Sequence, residues 1–263
     1  MSLHHLAEFK PDALFSPQQT SPALFDTKRL SALLPDPERL SSRQKRELSL
    51  LGSLLHCTPH HCDFLHEPSR IQADHTGRGF VLSGPIEEAS SYAEVLELGY
   101  LDGHPLPDLN GKPFDTETLE SLSGLHATML ASTLQPTPIA APLSQMLRKA
   151  LAENITASDG PVLTLYMGHD DTIAPLLGML DSHVKAPGYA QDEIPVGSAL
   201  GFALYRNADG SRHVRVVFIS QSPEDIRRDP NRAPLSWSYP RVPACHGKGG
   251  TCTMPEFLKA LHL

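Results

Sequence analysis

The 263 residues contain no stretch with the length and apolarity that a membrane-spanning helix needs. A basic run is also missing. Lys and Arg total 22 against 30 Asp and Glu, and the net charge of −8 argues against a nucleic-acid partner. Residues 1–11 lack a basic start followed by a long apolar core, so no signal peptide is visible. There is no internal repeat. Aromatic residues are few, at 6%. Only four cysteines occur, in two local pairs: Cys57 with Cys62, and Cys245 with Cys252. Such pairs suit two small disulfide-closed loops in an oxidising compartment. Zinc is the rival reading, because His56, Cys57, His60, His61 and Cys62 crowd together and His246 lies beside Cys245. Their spacing matches no common zinc module. Free thiols are the third possibility.

Proline, by contrast, is abundant at 24 residues, so many elements should be short and sharply ended. The most informative stretch is PVLTLYMGHDDTIAPLLGML, residues 161–180. Residues 162–167 form an uncharged apolar run, the pattern of a strand buried on both faces. After Gly168 come His169, Asp170, Asp171 and Thr172, then an apolar run expected to be a helix with Pro175 in its first turn, where proline is tolerated. A strand that ends in a His-Asp pair at a helix N-terminus is a place for an anionic ligand.

Elsewhere the pattern is mostly helical. Helices are expected over residues 23–34, from a Ser41/Gln44 capping box onward, from Ser83-Gly84-Pro85 to about Leu98, from Asp115 or Thr116 to about Leu134, and over one further segment to about Asn154. Residues 71–81 have room for a short strand. Residues 199–205 and 213–219 flank Asn207-Ala208-Asp209-Gly210, a hairpin signal. Thr253 and Glu256 form a capping box for the last helix.

GHDDTIAPLLG resembles the C-terminal His-Asp motif of the histidine acid phosphatases, in the branch of bacterial periplasmic phytases and glucose-1-phosphatases. Asp171 and Thr172 depart from the usual Thr/Ser and Asn there. SGPIEEASSYAEVLEL resembles a second family segment through Ser83, Gly84, Ala89, Ser90 and Glu94, and Leu125-His126 resembles a Leu-His pair near the pocket. The resemblance implies an α/β fold: a helical subdomain (about 15–155) beside a histidine-phosphatase-like α/β core (about 160–263). It implies phosphomonoester hydrolysis through a phosphohistidine, on phytate or sugar phosphates. His169 becomes a phosphate contact and Asp170 the proton donor. Glu94, His126, Asp171 and Thr172 become substrate-binding candidates, although Glu94 reads equally well as a surface helix acid. The resemblance favours disulfides Cys57–Cys62 and Cys245–Cys252. It implies a small-molecule phosphate ester as partner, no nucleic acid or membrane, no cofactor or metal, and a periplasmic or secreted location.

The family's nucleophile lies in an Arg-His-Gly-x-Arg-x-Pro motif, and no such motif occurs in these residues. Arg212-His213-Val214-Arg215 lacks the Gly and the Pro and reads as a strand. The resemblance covers nearly all of this chain but only the later two-thirds of a family member. The expectation is an inactive fragment lacking a central strand, with a non-catalytic phosphoester-binding protein and a zinc-binding protein as alternatives. Asp171 is expected either to raise the pKa of Asp170 or to repel phosphate.

Overall fold

The computed structural model describes residues 36–58, 61–73, 80–109 and 111–263. The helix expected over residues 23–34, and His60, lie outside them.

The chain begins with two short helices, α1 (Pro37–Arg43) and α2 (Lys45–Leu54). Asp36 starts α1 by accepting a hydrogen bond from the Glu38 N–H at 3.1 Å. The expected Ser41/Gln44 capping box is therefore corrected. Ser41 lies inside α1 and Gln44 is the joint between the two helices. Long-range partners take both side chains: Ser41 Oγ lies 2.5 Å from Ser69 Oγ, and the Gln44 amide donates to Thr128 Oγ1 at 2.6 Å.

The strand expected within residues 71–81 is an antiparallel hairpin of β1 (Arg70–Ala73) and β2 (Phe80–Ser83). It leads into α3 (Pro85–Leu101) through Gly84. Gly84 has φ +105°, and a Cβ there would sit 2.8 Å from the Ser69 Cα, so only glycine fits. Helix α3 runs past Gly99, its expected end. Gly103, with φ +80°, supplies the left-handed residue just beyond the last turn.

Helix α4 (Thr116–Thr133) is the central member. The Asp115 carboxylate caps it by accepting from the Thr118 N–H at 2.8 Å. Leu122 and Leu125 join a cluster with α2, α3, Phe64 and Leu82. Leu119 and Leu130 join another with Ala174, Leu177, Tyr189 and Phe218. Each of these four leucines is at most 1% exposed. Full burial of such a side chain contributes roughly 1.5–3 kcal/mol, so α4 welds the helical half to the sheet half.

The single helix expected up to Asn154 is two: α5 (Thr137–Leu143) and α6 (Gln145–Thr156). The break falls at Ser144, two residues after Pro142. Ser144 Oγ turns back to the Ala140 carbonyl at 2.6 Å. The sheet is antiparallel throughout. Strand β3 (Ala199–Arg206) pairs along its whole length with β4 (Arg212–Ser220). On its other side β4 meets β5 (Ser236–Ser238) and β6 (Cys252–Thr253). The hairpin, the strand containing Arg212-His213-Val214-Arg215 and the Thr253/Glu256 cap all match expectation. Helix α8 (Pro223–Arg228) follows β4, and α9 (Met254–Ala260) closes the chain's last core, with Phe257 against Val214 and Val216.

Both disulfides are present, Cys57–Cys62 and Cys245–Cys252. Their sulfurs bond to each other, which removes the thiolates that the zinc reading required.

A further expectation is overturned. Residues 162–167 are not a strand buried on both faces. They are extended, and Val162, Leu163, Leu165 and Met167 are open to solvent, from 73% exposed upward. An apolar run becomes a buried strand only where neighbours offer a ladder and cover both faces. Among the described residues no strand pairs with this one. Tyr166 alone turns inward, against a cluster of Leu147 and Leu151 of α6 with Leu176.

Candidate active site

The extended segment delivers its C-terminal end to helix α7 (Asp170–Leu180). The polar residues expected to form a loop before the helix begin the helix themselves. His169 is its N-cap, in extended conformation, and Asp170 is its first residue. Pro175 therefore stands in the second turn. It cannot supply the N–H that would bond the Asp171 carbonyl, a loss confined to the exposed start of the helix. Asp170 and Asp171 favour the positive end of the helix dipole. The Thr172 hydroxyl accepts from the His169 N–H at 3.3 Å and donates to an Asp171 oxygen at 3.2 Å.

Beside this helix end lies a cleft of about 310 Å³. Helix α3 contributes Glu94, Glu97 and Leu98, and α4 contributes His126. Gly168, His169, Asp170 and Ile173 come from α7 and its approach, and residues 193–198 close the far side. Four of the six candidates from the sequence thus converge: Glu94, His126, His169 and Asp170. Asp171 and Thr172 do not line the cleft; they serve the helix cap. No Lys or Arg is among the described residues lining it.

His126 is the hub. It is 4% exposed and bonded at both ring nitrogens. Nδ1 lies 2.8 Å from Glu193 Oε1, and Nε2 lies 3.1 Å from Asp170 Oδ2. Glu94 Oε1 is 3.8 Å from Nε2. An imidazole donates from both nitrogens only when protonated. Burial pulls against the charge, but the hydrogen bonds to Asp170 and Glu193 outweigh it and push the His126 pKa up to about 10. In turn, the His126 hydrogen bond holds Asp170 below its ordinary range, with the Asp171 N–H helping at 2.8 Å. The upward push considered for Asp171 is thus outweighed. Burial raises Glu193, and burial with the nearby Glu193 charge pushes Glu97 up to about 8.

Donor atoms of Glu94, His126 and Asp170 lie within 4.8 Å of one another, the span of a metal site. An imidazolium has no lone pair for a metal, so a metal would have to displace the proton on His126 Nε2. Sequence reasoning missed Glu97, Glu193 and Tyr189. Glu193 sits in an irregular loop with no periodicity to mark it. Glu97 lies three residues from Glu94, on the same turn of α3, and that spacing was the available signal.

Residues 80–219 match the model of the histidine phosphatase superfamily, branch 2. Glucose-1-phosphatase of Salmonella typhimurium is 25% identical over 175 residues, covering 64% of this chain and 41% of that protein. Phytase AppA of Escherichia coli is 28% identical over 183 residues, covering 65% and 40%. Among solved structures, the Klebsiella sp. ASR1 phytase superimposes with a TM-score of 0.81 at 25% identity, over 97% of this chain and 68% of that one. Hafnia alvei phytase in complex with tartrate gives 0.78 at 26% identity, over 95% and 68%. The matched part thus spans about two-fifths of the length of these curated relatives.

Proposed function

The chain belongs to branch 2 of the histidine phosphatase superfamily, and on that premise we propose that it carries the leaving-group side of a phosphomonoester hydrolase. His169 contacts the phosphoryl group at the positive end of the α7 dipole. Asp170 passes a proton to the departing ester oxygen. Glu94, at the rim, meets the hydroxyls of the alcohol. Asp171 and Thr172 act at one remove, by shaping the helix start that faces the phosphate. The substrate is a small phosphate ester, a phytate or a sugar phosphate, and the reaction proceeds through a phosphohistidine. Two disulfides suit a periplasmic or secreted location.

The observation that carries this reading is the meeting of His169, Asp170, His126 and Glu94 at one cleft, beside a helix N-terminus. The cleft also limits the reading. Phosphoryl oxygens are normally held by charge-assisted bonds from arginine, and no Arg is among the described residues that line this cleft. No residue matches the family's nucleophile motif, so the 263-residue chain by itself does not turn over. The experiment is release of phosphate from an aryl ester near pH 5, with Asp170→Asn and His169→Ala as controls. Turnover above both controls would place a nucleophile within these residues and refute the reading. Ester binding without turnover, lost in His169→Ala, would accord equally with a non-catalytic phosphoester-binding role for this chain.

A further inference from the structure

We propose that His126 is the positioning residue of Asp170: anchored at Nδ1 by buried Glu193, it aims Nε2 at the carboxylate and fixes its orientation and charge. This rests on reading Asp170 as the proton donor.

The geometry leaves His126 little other work. Its ring is buried on α4, in the lining of the cleft, with both nitrogens committed to carboxylates on different elements. A ligand contact needs a free donor or acceptor, and His126 has neither. Asp170 is held at both oxygens. Oδ1 accepts from the Asp171 N–H at 2.8 Å, and Oδ2 faces Nε2 at 3.1 Å. The carboxylate plane is therefore set from two directions.

The charges around the ring point the same way. Helix α3 brings Glu94 and Glu97, α7 brings Asp170, and the 181–198 loop brings Glu193 and the Tyr189 hydroxyl. One imidazolium faces four carboxyl groups. In such a coupled set the protons belong to the group rather than to one residue. The His126–Asp170 pair holds one exchangeable proton, resting on Nε2 and shared across the hydrogen bond. When that proton leaves through Asp170, the pair is left as neutral imidazole and carboxylate. Glu193 Oε2 is buried and unpartnered among the described residues. A structural core seldom keeps such an atom, whereas a site that tunes a proton can use it.

The test is a carboxyl and imidazole NMR titration of the isotope-labelled 263-residue chain. It needs no turnover, so its failure is distinct from failure of the phosphatase reading. In the native chain His126 stays protonated until about pH 10, and Asp170 titrates below 3.8. In His126→Gln the Asp170 midpoint rises. In Glu193→Gln the amide oxygen still accepts from Nδ1 but the charge is gone, so the His126 midpoint falls. A ring that merely fills space would give the same Asp170 titration in His126→Gln as in the native chain, with native backbone shifts retained, and that would overturn the proposal. If His126→Gln does not fold, Asp170→Asn reads the same coupling from the other side. The His126 midpoint must fall there, and an unchanged midpoint would overturn the proposal equally.

Discussion

Gly178 is a residue where two physical effects oppose each other and the structure decides between them. It lies inside α7, two residues before its last, Leu180. By helix propensity alone, Gly178→Ala should stabilise the protein by roughly 0.5–1 kcal/mol. A Cβ at Gly178, however, would stand 2.1 Å from the Gln135 carbonyl oxygen and 2.7 Å from its Cα. These are backbone atoms in the link between α4 and α5, and they cannot rotate away as a side chain would. Relief requires α7 to move off that link, parting Leu177 and Ala174 from Leu130. Overpacking of this kind costs about 1–3 kcal/mol, and more where backbone must shift. The expected net effect is destabilisation by about 1–2 kcal/mol, or a Tm lower by roughly 2–8 °C for a chain of this size. Urea and thermal unfolding followed by circular dichroism would measure it. An equal or higher Tm would refute the reasoning, since α7 would then not be seated against that carbonyl as described. Because α7 carries Asp170, the same variant should also loosen the hydrogen bond to His126.

Stability should depend on pH with a definite sign. His126 rises from 6.5 to about 10 on folding and Glu97 from 4.5 to about 8, so both contributions are present at low pH and are lost as pH climbs through those ranges. Asp170 is lowered, so its contribution is present above 3.8 and is lost as pH falls through its folded value. The urea midpoint should therefore be highest in mild acid and decline from about pH 5 to 9, and Glu97→Gln should flatten the part of that decline up to about 8; a midpoint rising across pH 6–9 would contradict the assignment. Arg148 is buried on α6 and donates to the carbonyls of Leu261 and of Ala141, the latter at 2.9 Å. Arg148→Met should cost about 2–4 kcal/mol by orphaning those carbonyls and freeing the C-terminal residues, visible as a lower urea midpoint and faster amide exchange in α9.

Features governed by local chemistry were legible in the sequence. Asp115 and the Thr253/Glu256 pair start their helices with side chains a few residues away. The turn before β4 is set by the Asn207 backbone, which bonds Gly210 and Ser211, and by the Asp209 carboxylate, which accepts from the Ser211 N–H. The misreadings arose where a distant partner decides. Ser41 and Gln44 look like a cap, yet they bond Ser69 and Thr128. Residues 162–167 have strand composition, but composition cannot say whether a neighbouring strand is present. At the site, the His-Asp pair is contiguous and was readable. Glu193 comes to His126 from 67 residues away, through a loop without pattern, and only the fold brings the two together.

The central claim is that these residues hold the proton-donating half of a phosphatase site and not its nucleophile. It is tested most directly by phosphate release from an aryl ester near pH 5. The chain would be assayed alone and fused to a segment carrying the family's Arg-His-Gly-x-Arg-x-Pro motif, each with and without Asp170→Asn. The account predicts no turnover by the chain alone. It predicts turnover by the folded fusion, reduced about 10²–10⁴-fold by Asp170→Asn, the usual worth of a general acid. Turnover by the chain alone, or a fusion indifferent to Asp170→Asn, would contradict it.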